Sequence, residues 1–275
     1  MMQPRSTPFN LIVILLAGIL LVWAGWPHYS RSANAANDIR IIAHRGASGS
    51  APENTLAAFD LAVERQADYV ELDVQLSLDG ELIVIHDRTL ERTTNGVGYV
   101  GSKTAQQLRT LDAGSSFSAA FAGERIPLLE QVLDRYLGRV GLLVELKEPA
   151  LYPKMEEKLA AVIKERLTTL SESNMDPLII QSFDRNAVRH MHELLPGIAT
   201  GVLIRPEQKR MQAEDWAAVA RYADYINPHK SLVDKSFVEA AHAHGLLVMP
   251  WTVHRSGEAR RLIRAGVDGL ITDYP

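Results

Sequence analysis

Nine side chains that can do chemistry stand at or just beyond the ends of apolar runs in this sequence. They are His44, Arg45, Glu71, Asp73, His86, Glu145, Lys147, Gln181 and Trp251. The whole chain has no cysteine, which excludes thiol catalysis, disulfides and thiolate metal sites. What remains is a set suited to polar chemistry with charge neutralisation and proton transfer.

The residue types indicate separate roles. Three carboxylates without a thiolate are hard oxygen ligands, which Mg²⁺ and Ca²⁺ prefer. The arginine and the lysine can hold a phosphate, one as a planar fork and the other as a point charge. The two histidines have ordinary pKa values near neutrality and can donate and accept protons.

Each of these residues also has a structural interpretation when taken alone. A histidine at a strand end is often a hydrogen-bonded structural residue. The Glu71 and Asp73 pair suits buried salt bridges with Arg45 and Lys147, and Trp251 suits the core. The occurrence of all of them at successive strand ends favours a shared site.

The elements that would position these residues alternate between apolar runs and amphipathic segments. The strand candidates are residues 41–43, 69–74, 82–85, 142–147, 178–180, 199–204, 225–227, 246–252 and 269–273. In residues 69–74 the aliphatic side chains occupy every second position, so Glu71 and Asp73 share one face of the strand. This pattern predicts an α/β fold of the TIM-type (β/α)8 barrel class, in which the strand ends form one ring. A barrel of eight leaves one candidate as an extra strand, and the pattern does not identify it.

Length and charge narrow the classes further. The 275 residues, 47% hydrophobic and 23% charged, suffice for one large barrel core. The formal net charge of −4 provides no basic field for nucleic acid, which we exclude as a partner. Without a linker sequence after residue 37, residues 38–275 are predicted to be one domain.

The N-terminal segment predicts export. Arg5 precedes 18 uncharged residues, 9–26, and Ala33-Asn34-Ala35 resembles a signal-peptidase site. We expect residues 1–37 to be an uncleaved membrane anchor with the domain outside the cytoplasm. The alternative is a secreted or periplasmic protein cleaved near Ala35.

Short motifs in chain order carry a family resemblance. They are His44-Arg45-Gly46, Pro52-Glu53-Asn54-Thr55, Glu71-Leu72-Asp73, His86-Asp87, Glu145-Leu146-Lys147, Gln181-Ser182-Phe183, Trp251-Thr252-Val253 and the closing stretch 266–275. Together they resemble the glycerophosphodiester phosphodiesterases over the whole domain.

The resemblance implies a TIM-type barrel and a set of roles. Glu71, Asp73 and Glu145 would hold a divalent metal, and His44 and His86 would form an acid/base pair. Arg45 and Lys147 would contact phosphate, and Gln181 and Trp251 complete the expected substrate-binding set. Two features depart from the family: His254 stands where asparagine is usual, and the excursion over residues 88–125 is short beside the insertions of some periplasmic members.

The expected activity is metal-dependent hydrolysis of a glycerophosphodiester to glycerol 3-phosphate and an alcohol. One alternative is a lysophospholipase D that uses the same site on a lysophospholipid. An alternative of another class is a catalytically silent phosphodiester-binding module. Loss of a metal carboxylate or a histidine would mark such a module, and none is lost here.

Overall fold

The computed structural model describes residues 39–168, 178–208 and 211–275. Its strands are β1 (Arg40–Ala43), β2 (Tyr69–Leu76), β3 (Leu82–Val84), β4 (Gly141–Leu146), β5 (Leu178–Ser182), β6 (Ala199–Ile204), β7 (Tyr225–Pro228), β8 (Leu247–Val248) and β9 (Gly269–Thr272). Its helices are α1 (Leu56–Glu64), α2 (Ala105–Arg109), α3 (Leu129–Tyr136), α4 (Met155–Leu167), α5 (Arg185–Leu194), α6 (Ala213–Val219), α7 (Lys235–Ala243) and α8 (Ser256–Ala265).

Eight of these strands form a parallel sheet in the order β8-β7-β6-β5-β4-β2-β1-β9. The sheet curls until its ends meet, where the N–H groups of Asp268 and Ile271 donate to the carbonyls of Val248 and Pro250 at 2.9 and 3.1 Å. The predicted TIM-type barrel is therefore confirmed, and it is nearly closed.

The extra strand is β3, which pairs with β2 in the antiparallel direction. Residues 77–81 form the tight turn between them, with Gly80 at φ +79°. A turn of this length cannot make the crossover that a parallel strand requires, so β3 folds back as a hairpin. His86 therefore reaches the site from a returning strand and not from a barrel strand end, which corrects the sequence prediction.

The core lies in layers around the barrel wall. Alternation along β2 turns Val70, Leu72 and Val74 outward against the helices, while Tyr69 joins Ile42 inside the barrel. Apolar residues fill the lower barrel, and the polar residues of the same inward face come next toward its mouth. This layering is what places the candidate residues together.

The predicted N-terminal anchor, residues 1–37, lies outside the described residues. Among the described helices, none combines the length and the apolar character needed to cross a membrane.

Candidate active site

A cluster of three buried carboxylates lies at the carboxyl ends of β2 and β4. Glu71, Asp73 and Glu145 are 1%, 1% and 7% exposed, and each offers an oxygen within 4.8 Å of the others. The cluster follows from register, because Asp73 on β2 stands directly beside Glu145 on β4. The structure therefore brings together the three carboxylates that the sequence predicted as metal ligands.

Two cations line the same cluster. Lys147 Nζ lies 2.7 Å from Glu145 Oε1 and 3.5 Å from Asp73 Oδ1. Arg45 Nε lies 3.3 Å from Asp73 Oδ2, and the backbone N–H of Arg45 donates to Glu71 Oε2 at 2.8 Å. Arg45 adopts φ +55°, an unfavourable conformation for a non-glycine residue that directs this N–H at the cluster.

Burial and neighbouring charges shift the pKa values of the three carboxyl groups in different directions. Burial, with the charges of Asp73 and Glu145, raises the pKa of Glu71 well above its usual value. Burial also raises the pKa of Glu145 to about 7, against the opposing effect of Lys147. Burial would raise the pKa of Asp73 too, but Lys147 and Arg45 hold it well below its usual range. Without a further cation, the cluster therefore cannot carry three full negative charges at neutral pH.

His44 is oriented by a carboxylate from the far end of the chain. Its Nδ1 lies 2.6 Å from Asp273 Oδ1, which also accepts from Ser48 Oγ at 3.1 Å. Asp273 follows β9, and the pairing of β1 with β9 brings the two residues together. Burial lowers the pKa of His44, although the hydrogen bond to Asp273 acts in the opposite direction.

His86 has the same arrangement with its sequence neighbour. Its Nδ1 lies 2.6 Å from Asp87 Oδ1, and Arg92 binds the other oxygen of Asp87. Burial lowers the pKa of His86, and the nearby Asp73 opposes that shift. In both histidines the ionised carboxylate accepts the Nδ1 proton, so Nε2 is the nitrogen left for chemistry.

Three supporting residues were not assigned a role at the site from the sequence. Asn54 donates from Nδ2 to Asp73 Oδ2 at 2.8 Å and accepts from the Asp73 backbone N–H at 3.1 Å. Glu53 pairs with Arg45 and Arg92. Gln75 Nε2 lies 3.2, 3.0 and 2.6 Å from the carbonyls of residues 85, 86 and 87.

Signals for all three were present in the sequence. Glu53 and Asn54 belong to the Pro52-Glu53-Asn54-Thr55 motif, and Thr55 caps α1. Gln75 continues the inward face of Glu71 and Asp73, so its spacing indicated a polar interior residue.

The remaining two predicted residues occupy different places. Trp251 lines a cavity of about 900 Å³ together with His86, Glu145 and Lys147. Gln181 is next to Glu145 in the sheet but does not line that cavity, and its Oε1 accepts from Asn227 Nδ2 at 2.8 Å. His44 also lies outside the lining of this cavity, and it is its neighbour Arg45 whose backbone N–H donates to Glu71 of the cluster.

The departure at His254 affects the orientation of His44. Nδ1 of His254 lies 3.1 Å from Asp273 Oδ2, the oxygen that His44 does not use. Asp273 therefore joins two imidazoles.

The donor set fits a divalent cation. Three convergent, buried carboxylates supply only oxygen, and two of them hold raised pKa values that a bound cation would reverse. The flanking cations have the charge to bind a phosphate, and the two Nδ1-anchored imidazoles are suited to proton transfer. The arrangement can therefore perform displacement at phosphorus.

Known proteins resemble this chain over most of its length. The glycerophosphoryl diester phosphodiesterase family matches residues 44–275. A glycerophosphodiester phosphodiesterase of Caldanaerobacter subterraneus is 41% identical over 86% of this chain and 94% of its own length. One of Bacillus subtilis is 38% identical over 86% of this chain and 84% of its own length.

A solved structure agrees in fold. The Oleispira antarctica phosphodiesterase in complex with the product sn-glycerol-3-phosphate has a TM-score of 0.75 and 34% identity, covering 86% of this chain and 93% of that one. The family match, the relatives and the shared barrel lead to one conclusion: this chain belongs to the glycerophosphoryl diester phosphodiesterase family.

Proposed function

We propose that this protein hydrolyses glycerophosphodiesters to glycerol 3-phosphate and an alcohol. The observation that carries the proposal is the buried cluster of Glu71, Asp73 and Glu145 with two histidines beside it, each anchored at Nδ1 by an aspartate. The product bound to the Oleispira antarctica relative supports the same substrate class.

The carboxylate cluster would hold the metal ion, Mg²⁺ or Ca²⁺. When bound, that ion supplies positive charge to the phosphoryl oxygens. Arg45 and Lys147 add charge from the protein itself and orient the diester. Lys147 is 14% exposed and Arg45 is 17% exposed in their side chains, so both cations act where water screens them weakly.

The two imidazoles would move the protons. One neutral Nε2 would accept the proton of the substrate's glycerol hydroxyl as its oxygen bonds to phosphorus, and the other imidazole would protonate the leaving alcohol oxygen. Water would then open the resulting cyclic phosphate to glycerol 3-phosphate. Asp273 and Asp87 fix the ring orientations and stabilise the imidazolium that forms on either side. Asn54 keeps Asp73 in place without taking part in proton transfer.

The N-terminal proposal rests on sequence alone. Arg5 and the uncharged run at residues 9–26 support a membrane anchor, with the catalytic domain, residues 38–275, outside the cytoplasm.

The test is release of glycerol 3-phosphate by the purified protein, followed with an enzyme-coupled assay. Glycerophosphoinositol should be hydrolysed in the presence of Mg²⁺ or Ca²⁺, and excess chelator should stop the reaction. Lysophosphatidylcholine, assayed in parallel, separates the lysophospholipase D alternative. Failure to cleave any diester with either metal would favour a silent binding module and contradict the proposal.

A further inference from the structure

The 900 Å³ cavity extends beyond the carboxylate cluster to a second group of cations. Its far side is formed by residues that follow β5 and β6, namely Phe183, Asp184, Arg185, Arg205 and Gln208. A volume near the top of the usual range for small-molecule sites leaves room beyond a glycerol phosphate group. The far side therefore can receive the second arm of a diester.

Arg205 is held in a defined position there. Its guanidinium lies 3.9 Å from the centroid of the Phe183 ring, and that ring also contacts Trp251 at a centroid distance of 5.6 Å. Gln208 closes the turn at its base, because Gln208 Oε1 accepts from the Arg205 backbone N–H at 2.7 Å. An arginine stacked on a ring keeps its N–H edge free for an anion.

Arg205 also lies close to the reacting end of the cavity. Lys147 Nζ lies 5.9 Å from the same Phe183 centroid, so the two cations are less than 10 Å apart. A short polyol arm between two phosphates spans that distance.

The acidic groups that line this cavity already have partners. Asp87 binds His86 and Arg92, and Glu148 pairs with Arg88. Asp184 accepts from the first N–H groups of α5. Glu145 belongs to the carboxylate cluster.

Two cations, by contrast, have no carboxylate partner within the described ranges 39–168, 178–208 and 211–275. They are Arg185 and Arg205. The neighbouring Glu207 does not line the cavity. Even with the Asp184 carboxylate counted, the two arginines give the far side a net positive charge.

We propose that this far side selects diesters whose alcohol arm carries a second phosphate or another anionic group. The inference rests on the proposed function and names its substrate class. Arg205 and Arg185 complement an anionic arm, a neutral polyol arm gains little from them, and a cationic choline arm is repelled.

The test compares three substrates that share the glycerophosphate half. Glycerophosphoinositol 4-phosphate has an anionic arm, glycerophosphoinositol a neutral arm and glycerophosphocholine a cationic arm. We expect kcat/KM to fall in that order. In Arg205→Gln the preference for the anionic over the neutral arm should drop by up to about fivefold, the effect of one exposed ion pair. In Arg205→Glu the order should reverse.

A matched control is available on α5. Arg189 also stacks on an aromatic ring, with its guanidinium 4.8 Å from the Tyr222 centroid, but it does not line the cavity. Arg189→Gln should keep the wild-type preference. Added salt should weaken the preference of the wild type, because the interaction is screened.

The outcomes separate the two proposals. Hydrolysis of all three substrates with equal kcat/KM, or an unchanged order in Arg205→Glu, would overturn this inference and leave the proposed function standing. Absence of hydrolysis of every substrate would overturn the proposed function and this inference with it.

Discussion

At the scale of single residues, the two histidines share one design. Each donates from Nδ1 to an aspartate at 2.6 Å, and each has a pKa lowered chiefly by burial. A lowered pKa keeps a substantial neutral fraction at neutral pH, which a base needs, while the aspartate stabilises the charged form once a proton arrives. The same local geometry is therefore suited to both halves of a proton transfer.

The first prediction concerns these two side chains. His44→Ala and His86→Ala should each lower turnover by about 10²- to 10⁴-fold, the range for one positioned proton-transfer group. A nitrophenyl ester needs little protonation of its leaving group, so the variant lacking the acid should lose far less activity with it. Steady-state kinetics on an alkyl and a nitrophenyl diester measure the difference.

A histidine outside the site provides the control. His242 also contacts an aspartate, with Nε2 2.7 Å from Asp268 Oδ2, but belongs to α7. His242→Ala should lower stability without a comparable loss of turnover per folded molecule. Equal losses on both leaving groups for His44→Ala and His86→Ala would show that neither histidine is the general acid.

The second prediction is that metal affinity depends on pH. Burial raises the pKa of Glu145 to about 7 and the pKa of Glu71 well above its usual value, so both bind protons in the folded protein that the unfolded chain has released. The metal-free protein should therefore lose stability as the pH rises toward 7, and a bound cation should restore it.

Calorimetric titration with Ca²⁺ or Mg²⁺ should show weaker binding and greater proton release at about pH 6 than at about pH 8. Glu71→Gln should abolish the binding. Glu157→Gln is the matched control, because Glu157 belongs to a superficial group with Glu156 and His190. A metal affinity that is independent of pH, with no proton release on binding, would contradict the prediction.

At the scale of elements, the β2–β3 hairpin is the device that positions His86. β2 is eight residues long, and β3 returns along its end to the level of Asp73, whose carbonyl accepts from the Ile85 N–H at 3.0 Å. Gln75 Nε2 lies within hydrogen-bonding distance of the carbonyls of residues 85, 86 and 87. Tyr152 Oη donates to Gln75 Oε1 at 2.8 Å. One buried amide thus holds the whole loop.

The third prediction follows from that amide. Gln75→Leu keeps the volume but leaves buried carbonyls and the Tyr152 hydroxyl without their partner, so the free energy of unfolding should fall by about 2–4 kcal/mol. Turnover should fall as well, because His86 loses its support. Chemical denaturation and kinetics measure the two effects.

Gln107→Leu serves as the control, because Gln107 caps the exposed start of α2. It should cost about 1 kcal/mol at most and leave turnover per folded molecule near that of wild type. Normal turnover in a folded Gln75→Leu protein would show that the hairpin does not depend on this side chain.

At the scale of the molecule, the barrel brings together residues that are far apart along the chain. Residues 44, 71, 145 and 273 come from four different strands, yet they meet at one end because parallel strands share a carboxyl edge. The parallel pairing of β1 with β9 brings Asp273 to His44 across 229 positions. Loss of the final strand should therefore remove catalysis along with the fold.

The fourth prediction concerns the location of the domain. If Arg5 ahead of the apolar run directs the domain outward, as we propose, a cytoplasm-dependent reporter fused after Pro275 should be inactive. The same fusion lacking residues 1–37 should be active. An active full-length fusion would refute export, and mass spectrometry of the mature N-terminus would distinguish the anchor from cleavage near Ala35.

The sequence by itself determined the fold class, the inward face of β2 and the identity of the three carboxylates. These depend on local periodicity and on residue type, which the chain displays directly. The resemblance added the family. The assignment of both histidines to proton transfer stays a prediction, and the sequence pattern gave the wrong direction for the strand that precedes His86.

Only the tertiary structure decided how the site is supported. Nine strand candidates did not reveal that β3 turns back, because an apolar run has the same pattern in a parallel and an antiparallel strand. The bonds of Asn54 to Asp73, of Gln75 to three carbonyls and of Asp273 to His44 join residues whose proximity depends on register and closure. Such contacts leave no periodic signal along the chain, which is why they became visible only once the barrel was formed.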